Sequence, residues 1–128
     1  QAKYFVLLYE NKGGMPMSIA GDLIRGHTDA IILARLLHGD SYGYEINKVI
    51  STLSSGRFEL KEATLYTAFK RLEEQGFITS YWGDSGAGAR RRYYAITPAG
   101  RVTSKKLAQE WKETKEIMDK LMEAEEEV

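Results

Sequence analysis

The chain contains no cysteine, which removes disulfide frameworks and thiolate metal sites from consideration and allows, without proving, a reducing cytoplasm. No apolar run approaches the roughly 20 residues that a membrane-spanning helix needs. The longest such stretch near the start, YFVLLY from Tyr4 to Tyr9, is far too short, and it lacks the positive-then-small-residue layout of a secretion signal. Histidine is scarce: His27 and His38 are the only two, each at what reads as a surface or helix-end position. No metal-ligand spacing accompanies them, so neither a metal nor a cofactor is expected. Gly86-Ala87-Gly88 lacks the third glycine of a dinucleotide loop and lies between strands instead of opening a helix. An enzyme is therefore the weakest reading. An excess of charge is missing too. Eighteen Lys and Arg balance eighteen Asp and Glu, which argues against a uniformly basic nucleic-acid binder.

What is present is patterned. The 128 residues suit one domain, or one domain with an appended helix, and a core small enough that help from a partner chain would be unsurprising. Charge is segregated locally, with Arg90-Arg91-Arg92 as a basic knot and Glu123, Glu125, Glu126 and Glu127 in an acidic tail. A DNA-binding head with a solvated tail shows this pattern, although a charge run is also simply a wet face.

The most informative stretch is Lys61 to Tyr94. Leu65, Phe69 and Leu72 recur at helical spacing beside Ala68, which predicts a helix from Glu62 to about Gln75, closed by Gly76. Its other side carries Lys61, Thr64, Thr67, Lys70 and Arg71, with Tyr66 near the boundary; these groups can meet phosphates and base edges. Phe77–Trp82 and Arg90–Ile96 have strand propensity, and Gly83–Ala89 is turn-forming. Upstream, Ile19, Leu23 and Ile24 suggest a short arm, and Thr28 resembles an N-cap for a helix burying Ile31, Ile32, Leu36 and Leu37. A second helix buries Tyr42, Ile46, Val49, Ile50 and Leu53, and Arg57 to Leu60 forms an extended link. Helix, helix, helix, hairpin is the winged-helix order.

After Thr97 as N-cap and Pro98 at the first helical position, Leu107, Trp111, Thr114, Met118 and Leu121 fall on a heptad seam, with Ile117 and Ala124 alongside. An amphipathic helix beyond a completed domain has to bury that seam, and a second copy in a symmetric dimer is the economical partner. The expected class is mainly α with a small β-hairpin wing: a winged helix-turn-helix with a long C-terminal dimerisation helix. We divide the chain into an extension at 1–17, a DNA-binding domain at 18–97, and a dimerisation helix with acidic tail at 98–128. A natural start at Met15 or Met17 would make the first fourteen residues an addition without a role of their own.

At YGYEI, ATLYTAFKRLEEQGFI, SYW, RRRYYAIT and PAG the chain resembles the PadR family of winged-helix transcriptional regulators, in the small subgroup with a single C-terminal helix. The likeness runs from about Asp22 to Leu121. Thr67 stands where many members carry proline. The resemblance implies a homodimeric DNA-binding repressor on a palindromic site. Lys61, Thr64, Tyr66, Thr67 and Lys70 would face duplex DNA, with Arg90 and Arg92 on phosphates or in the minor groove and Arg91 pairing a carboxylate. Leu107, Trp111, Met118 and Leu121 would hold the dimer. It further implies that Trp111, with its symmetry mate, stacks on a planar aromatic ligand, near Asp29 and Ala30. Asp29 would then be a candidate acid for a cationic guest, though an acid there also suits the helix dipole. Ala108 and Lys115 replace an aromatic and an acidic residue of that pattern, so stacking is implied and a preference for cations is not. A winged-helix module that binds protein and no DNA is the competing expectation.

Overall fold

The computed structural model describes residues 19–84 and 90–123. The expectations for the extension at 1–17, for most of the turn after Gly83 and for Ala124 onward lie outside the described residues. The chain begins with α1 (Ile19–Arg25), and the polypeptide then turns at Gly26 and His27 into α2 (Thr28–Leu36). Thr28 does not cap α2 as expected. It is the first helical residue, and its hydroxyl donates back to the Arg25 carbonyl at 2.7 Å. That bond ties α2 to the end of α1. Ile32, Leu33 and Leu36 are fully buried, whereas Leu37 is 41% exposed. The buried stripe is therefore turned by one residue from the expected one, toward Leu33.

A short strand β1 (Ser41–Tyr42) precedes α3 (Gly43–Leu53). In α3, Ile46 and Ile50 enter the core while Leu53 stays 67% exposed, because the helix ends there and Ser55 and Gly56 adopt positive φ. The following link is irregular and tightly held. The Asn47 amide donates to the Leu60 carbonyl at 2.6 Å and accepts from the Leu60 N–H at 2.8 Å. With both backbone groups of Leu60 paired, the link needs no strand partner, and α4 (Glu62–Glu74) starts at a fixed point.

Leu65, Ala68, Phe69 and Leu72 form the buried face of α4, as the spacing predicts. Its end is a Schellman motif: Phe77 N–H donates to the Leu72 carbonyl, Gly76 N–H to the Glu73 carbonyl, and Gly76 takes φ of 80°. Strands β2 (Ile78–Asp84) and β3 (Arg90–Ile96) pair antiparallel from Ile78↔Ile96 to Asp84↔Arg90, and β1 joins the free edge of β3. The hairpin is thus the larger part of a three-stranded sheet. Its base is welded to α4 by Tyr94, whose ring stacks on Phe69 at 3.9 Å.

The last helix, α5 (Pro98–Met122), opens as the sequence predicts. Thr97 accepts from the Gly100 N–H at 3.0 Å, and proline occupies the first turn. Thr97 N–H also donates to the Phe77 carbonyl, and its hydroxyl donates to the Gly76 carbonyl. Gly100 is buried at the crossing: a Cβ there would lie 2.1 Å from the Phe77 oxygen. α5 then runs along α2, with Leu107 packed against the core and residues 108–122 exposed in the single chain.

Candidate nucleic-acid interface and ligand pocket

Burying one face of α4 turns the opposite face outward. Lys61, Tyr66, Thr67 and Lys70 are exposed and Thr64 is half-buried, so the five positions expected to meet DNA share the outer side of one helix and its entry. Tyr66 is also set in place by its neighbours. Its ring is edge-on to Phe69, and its hydroxyl sits over Gly43, where a Cβ would approach to 2.7 Å. A side chain at position 43 would push the Tyr66 ring aside.

Strand alternation sorts the three wing arginines. Tyr94, Arg92 and Arg90 share the side of β3 that faces α4, since Tyr94 is the residue stacked on Phe69. Arg92 donates to Ser80 Oγ at 2.8 Å and lies 3.8 Å from Glu73, which also accepts from Ser80 at 2.7 Å. Arg91 faces the other way, with its guanidinium 4.5 Å from the centre of the Tyr42 ring. The carboxylate expected beside Arg91 is therefore met by Arg92. The physical reason is that α4, which supplies Glu73, covers only one side of the hairpin. Tyr42, Gly43, Tyr44, Tyr66, Trp82 and the three arginines rim a cleft of about 430 Å³ between wing, α3 and α4.

On the opposite flank of α4, Thr64 and Thr67 line a second cleft of about 620 Å³, together with Asp29 and Arg71. Arg71 Nε donates to Asp29 Oδ2 at 3.1 Å and Nη2 to Oδ1. This two-pronged contact raises the Arg71 pKa above its ordinary value, with the hydrogen bond to Asp29 as the largest cause. Arg71, grouped from sequence with the outward cations, is thus committed to α2.

A third cavity, of about 350 Å³, lies between α1, α2 and α5 and is lined by Leu23, Ile24, His27, Ala30, Ile31, Ala34, Ser104, Leu107, Ala108 and Trp111. Trp111 is 47% exposed, and the His27 ring meets it edge-on with centroids 5.0 Å apart. Of the expected ligand residues, Trp111, Ala30 and Ala108 converge here. Asp29 points across the first turn of α2 into the other cleft, and Lys115 lies beyond the cavity on the exposed part of α5. Leu23, Ile24 and His27 were not anticipated as lining. The apolar pair on α1 was the available signal; nothing in the spacing points to His27. Along the seam, Trp111, Ile117, Met118 and Leu121 remain exposed in the single chain.

A helical trio ending in an outward-facing polar helix, followed by an arginine-bearing hairpin, defines a winged helix-turn-helix protein of the DNA-binding regulatory class. Residues 32–106 match the transcriptional regulator PadR-like family, and the chain belongs to that family, whose members are transcription regulators and not enzymes. It is 48% identical over 105 residues to an uncharacterized protein from Lysinibacillus sphaericus, covering 82% of this chain and 96% of that one. Among solved structures, it resembles a transcriptional regulator from Clostridium thermocellum with 47% identity and a TM-score of 0.74, over 82% of this chain and 99% of that chain. A PadR family transcription regulator from Clostridium difficile is similar at 36% identity and a TM-score of 0.66, over 75% and 98% of the two chains. No helix among the described residues is long and apolar enough to cross a membrane.

Proposed function

We propose that this chain is a cytoplasmic, homodimeric repressor that reads a palindromic duplex with α4 and the wing and is released by a planar aromatic ligand beside Trp111. The observation that carries the reading is the two-sidedness of α4: Leu65, Ala68, Phe69 and Leu72 inside, Lys61, Tyr66, Thr67 and Lys70 outside. A major groove is wide enough for such a helix. Two copies joined along α5 would set their α4 helices about 34 Å apart, one turn of the duplex. The apolar seam left open on α5 supports that joining.

The ligand half of the proposal rests on the 350 Å³ cavity and its half-exposed indole. The position of Trp111 resembles that of the stacking tryptophan in the multidrug-binding repressor LmrR. Among the described residues no acidic side chain lines the cavity, and the nearby Asp29 is already engaged by Arg71. The pocket accordingly favours flat apolar guests over cations. Release requires a ligand that binds one head spacing better than another, since equal affinity for both would shift nothing.

Mobility shift with duplexes selected from a random library tests the DNA half, and binding should weaken steeply with salt. Full affinity after combined Lys70→Ala and Arg92→Ala substitution would count heavily against it. Failure to bind any duplex at low salt would favour a protein-binding module instead. Titration with planar dyes tests the ligand half: quenching of tryptophan emission that disappears in Trp111→Leu is expected, and its absence at every concentration leaves Trp111 structural.

A further inference from the structure

Trp82 has no part in the reading above, yet its surroundings are ordered. It lies on β2 opposite Arg92, and Arg90 follows two residues along the same side of β3. Both guanidiniums are near the indole, with carbons 5.3 Å and 5.6 Å from the ring centroid for Arg90 and Arg92. Trp82 is nevertheless 55% exposed. A ring left that open contributes little as core. Its electron-rich face does attract cations held within about 6 Å.

Arg92 is fixed further by Ser80 and by Glu73 of α4, so one of the two cations beside the indole is tethered to α4. Asp84 lies opposite Arg90 in the strand register and carries an interaction of its own. Free arginines surrender much rotamer freedom when they dock on a phosphate, and holding them beforehand lowers that cost.

We propose that Trp82 is the positioning residue of the wing: its indole pre-orients Arg90 and Arg92 toward the duplex backbone, and the Arg92 tether to Glu73 sets the wing's angle to α4. The inference rests on the duplex-binding reading and adds to it a residue that itself need touch no base.

The test compares wild type, Trp82→Phe and Trp82→Leu as full chains, on a short random-sequence duplex across a salt series. Trp82→Leu should bind about tenfold more weakly, and its log-affinity against log-salt slope should be shallower by about one contact. Trp82→Phe, which keeps a weaker π-face, should fall between. Equal affinity and equal slope in all three overturns the positioning role while leaving duplex binding intact. A wild type that binds no duplex removes both. A second measurement guards against a variant that fails to fold. In the DNA-free wild type, NMR signals of the Arg90 and Arg92 side-chain protons should be displaced by the indole ring current and return to ordinary positions in Trp82→Leu. Ordinary positions already in the wild type would overturn the proposal.

Discussion

Substituting Gly100 with alanine is the sharpest test of how α5 is joined to the head. The added Cβ would sit 2.1 Å from the Phe77 carbonyl oxygen, 2.7 Å from Ile96 Cγ1 and 3.0 Å from the Phe77 carbonyl carbon, where ordinary contact begins at 3.4 Å. Two of these atoms are backbone, so no rotamer change relieves the clash; helix and strand entry have to part by roughly 1 Å in a close-packed interior. Overpacking of this kind costs about 1–3 kcal/mol. Parting also stretches the Thr97 N–H bond to that same carbonyl, now 3.0 Å, worth about 1 kcal/mol. Against this, alanine in place of glycine favours a helix by up to about 1 kcal/mol. The clash wins, and we expect a net loss of about 1–3 kcal/mol. For a domain of this size that lowers Tm by about 5–15 °C. Thermal unfolding followed by far-ultraviolet circular dichroism measures it, at matched protein concentration because association itself stabilises. A Gly100→Ala protein as stable as the wild type, or more so, would show that α5 can lift away from Phe77 at no cost.

Three further outcomes are expected. Asp29→Asn removes the charge that engages Arg71; with both side chains partly exposed, the loss in urea unfolding should be about 0.5–1 kcal/mol, and a loss several times larger would mean the pair is worth more than its exposure allows. Tyr94 has its pKa raised above 10.0, chiefly by burial. The folded state therefore holds that proton more tightly than the unfolded chain does, so the contribution is whole below pH 10.0 and is lost as pH rises through the higher folded value; Tyr94→Phe should flatten this alkaline decline in urea titrations, and an unchanged decline would assign it elsewhere. Gly83→Ala places a Cβ 2.4 Å from the Tyr93 ring, which should break the Tyr81–Tyr93 stack and cost about 1–2 kcal/mol, visible as a loss of near-ultraviolet circular dichroism.

The helices and the hairpin were legible because their signals are local. Leu65, Phe69 and Leu72 repeat at helical spacing, Gly76 supplies the left-handed residue that ends α4, and Thr97-Pro98 announces α5. β1 was not legible: two residues make no periodic signal, and Ser41 and Tyr42 become a strand only because β3 passes beside them. The buried face of α2 was misjudged between Leu33 and Leu37, since aliphatics at 30–34 and again at Leu36 and Leu37 leave the rotation of the helix to its neighbours. The site shows the same division. That α4 has an outward polar face follows from period alone, whereas the Asp29–Arg71 contact joins residues 42 positions apart. That Arg92 and not Arg91 lies beside a carboxylate likewise depends on which side of the hairpin α4 covers, and His27 against Trp111 depends on where the break after α1 leaves the chain.

The open half of α5 has a consequence for the molecule on dilution. Residues 108–122 are exposed in the single chain, with Trp111 resting on His27 at the start of the stretch, and a helical stretch of this length in water is marginal without something to lean on. In the proposed dimer its order is therefore borrowed from the second copy. As the protein is thinned out, helical signal from the tail should fade while the head, with Phe69 and Tyr94 locked together, persists, so that one polypeptide melts in two stages separated by concentration.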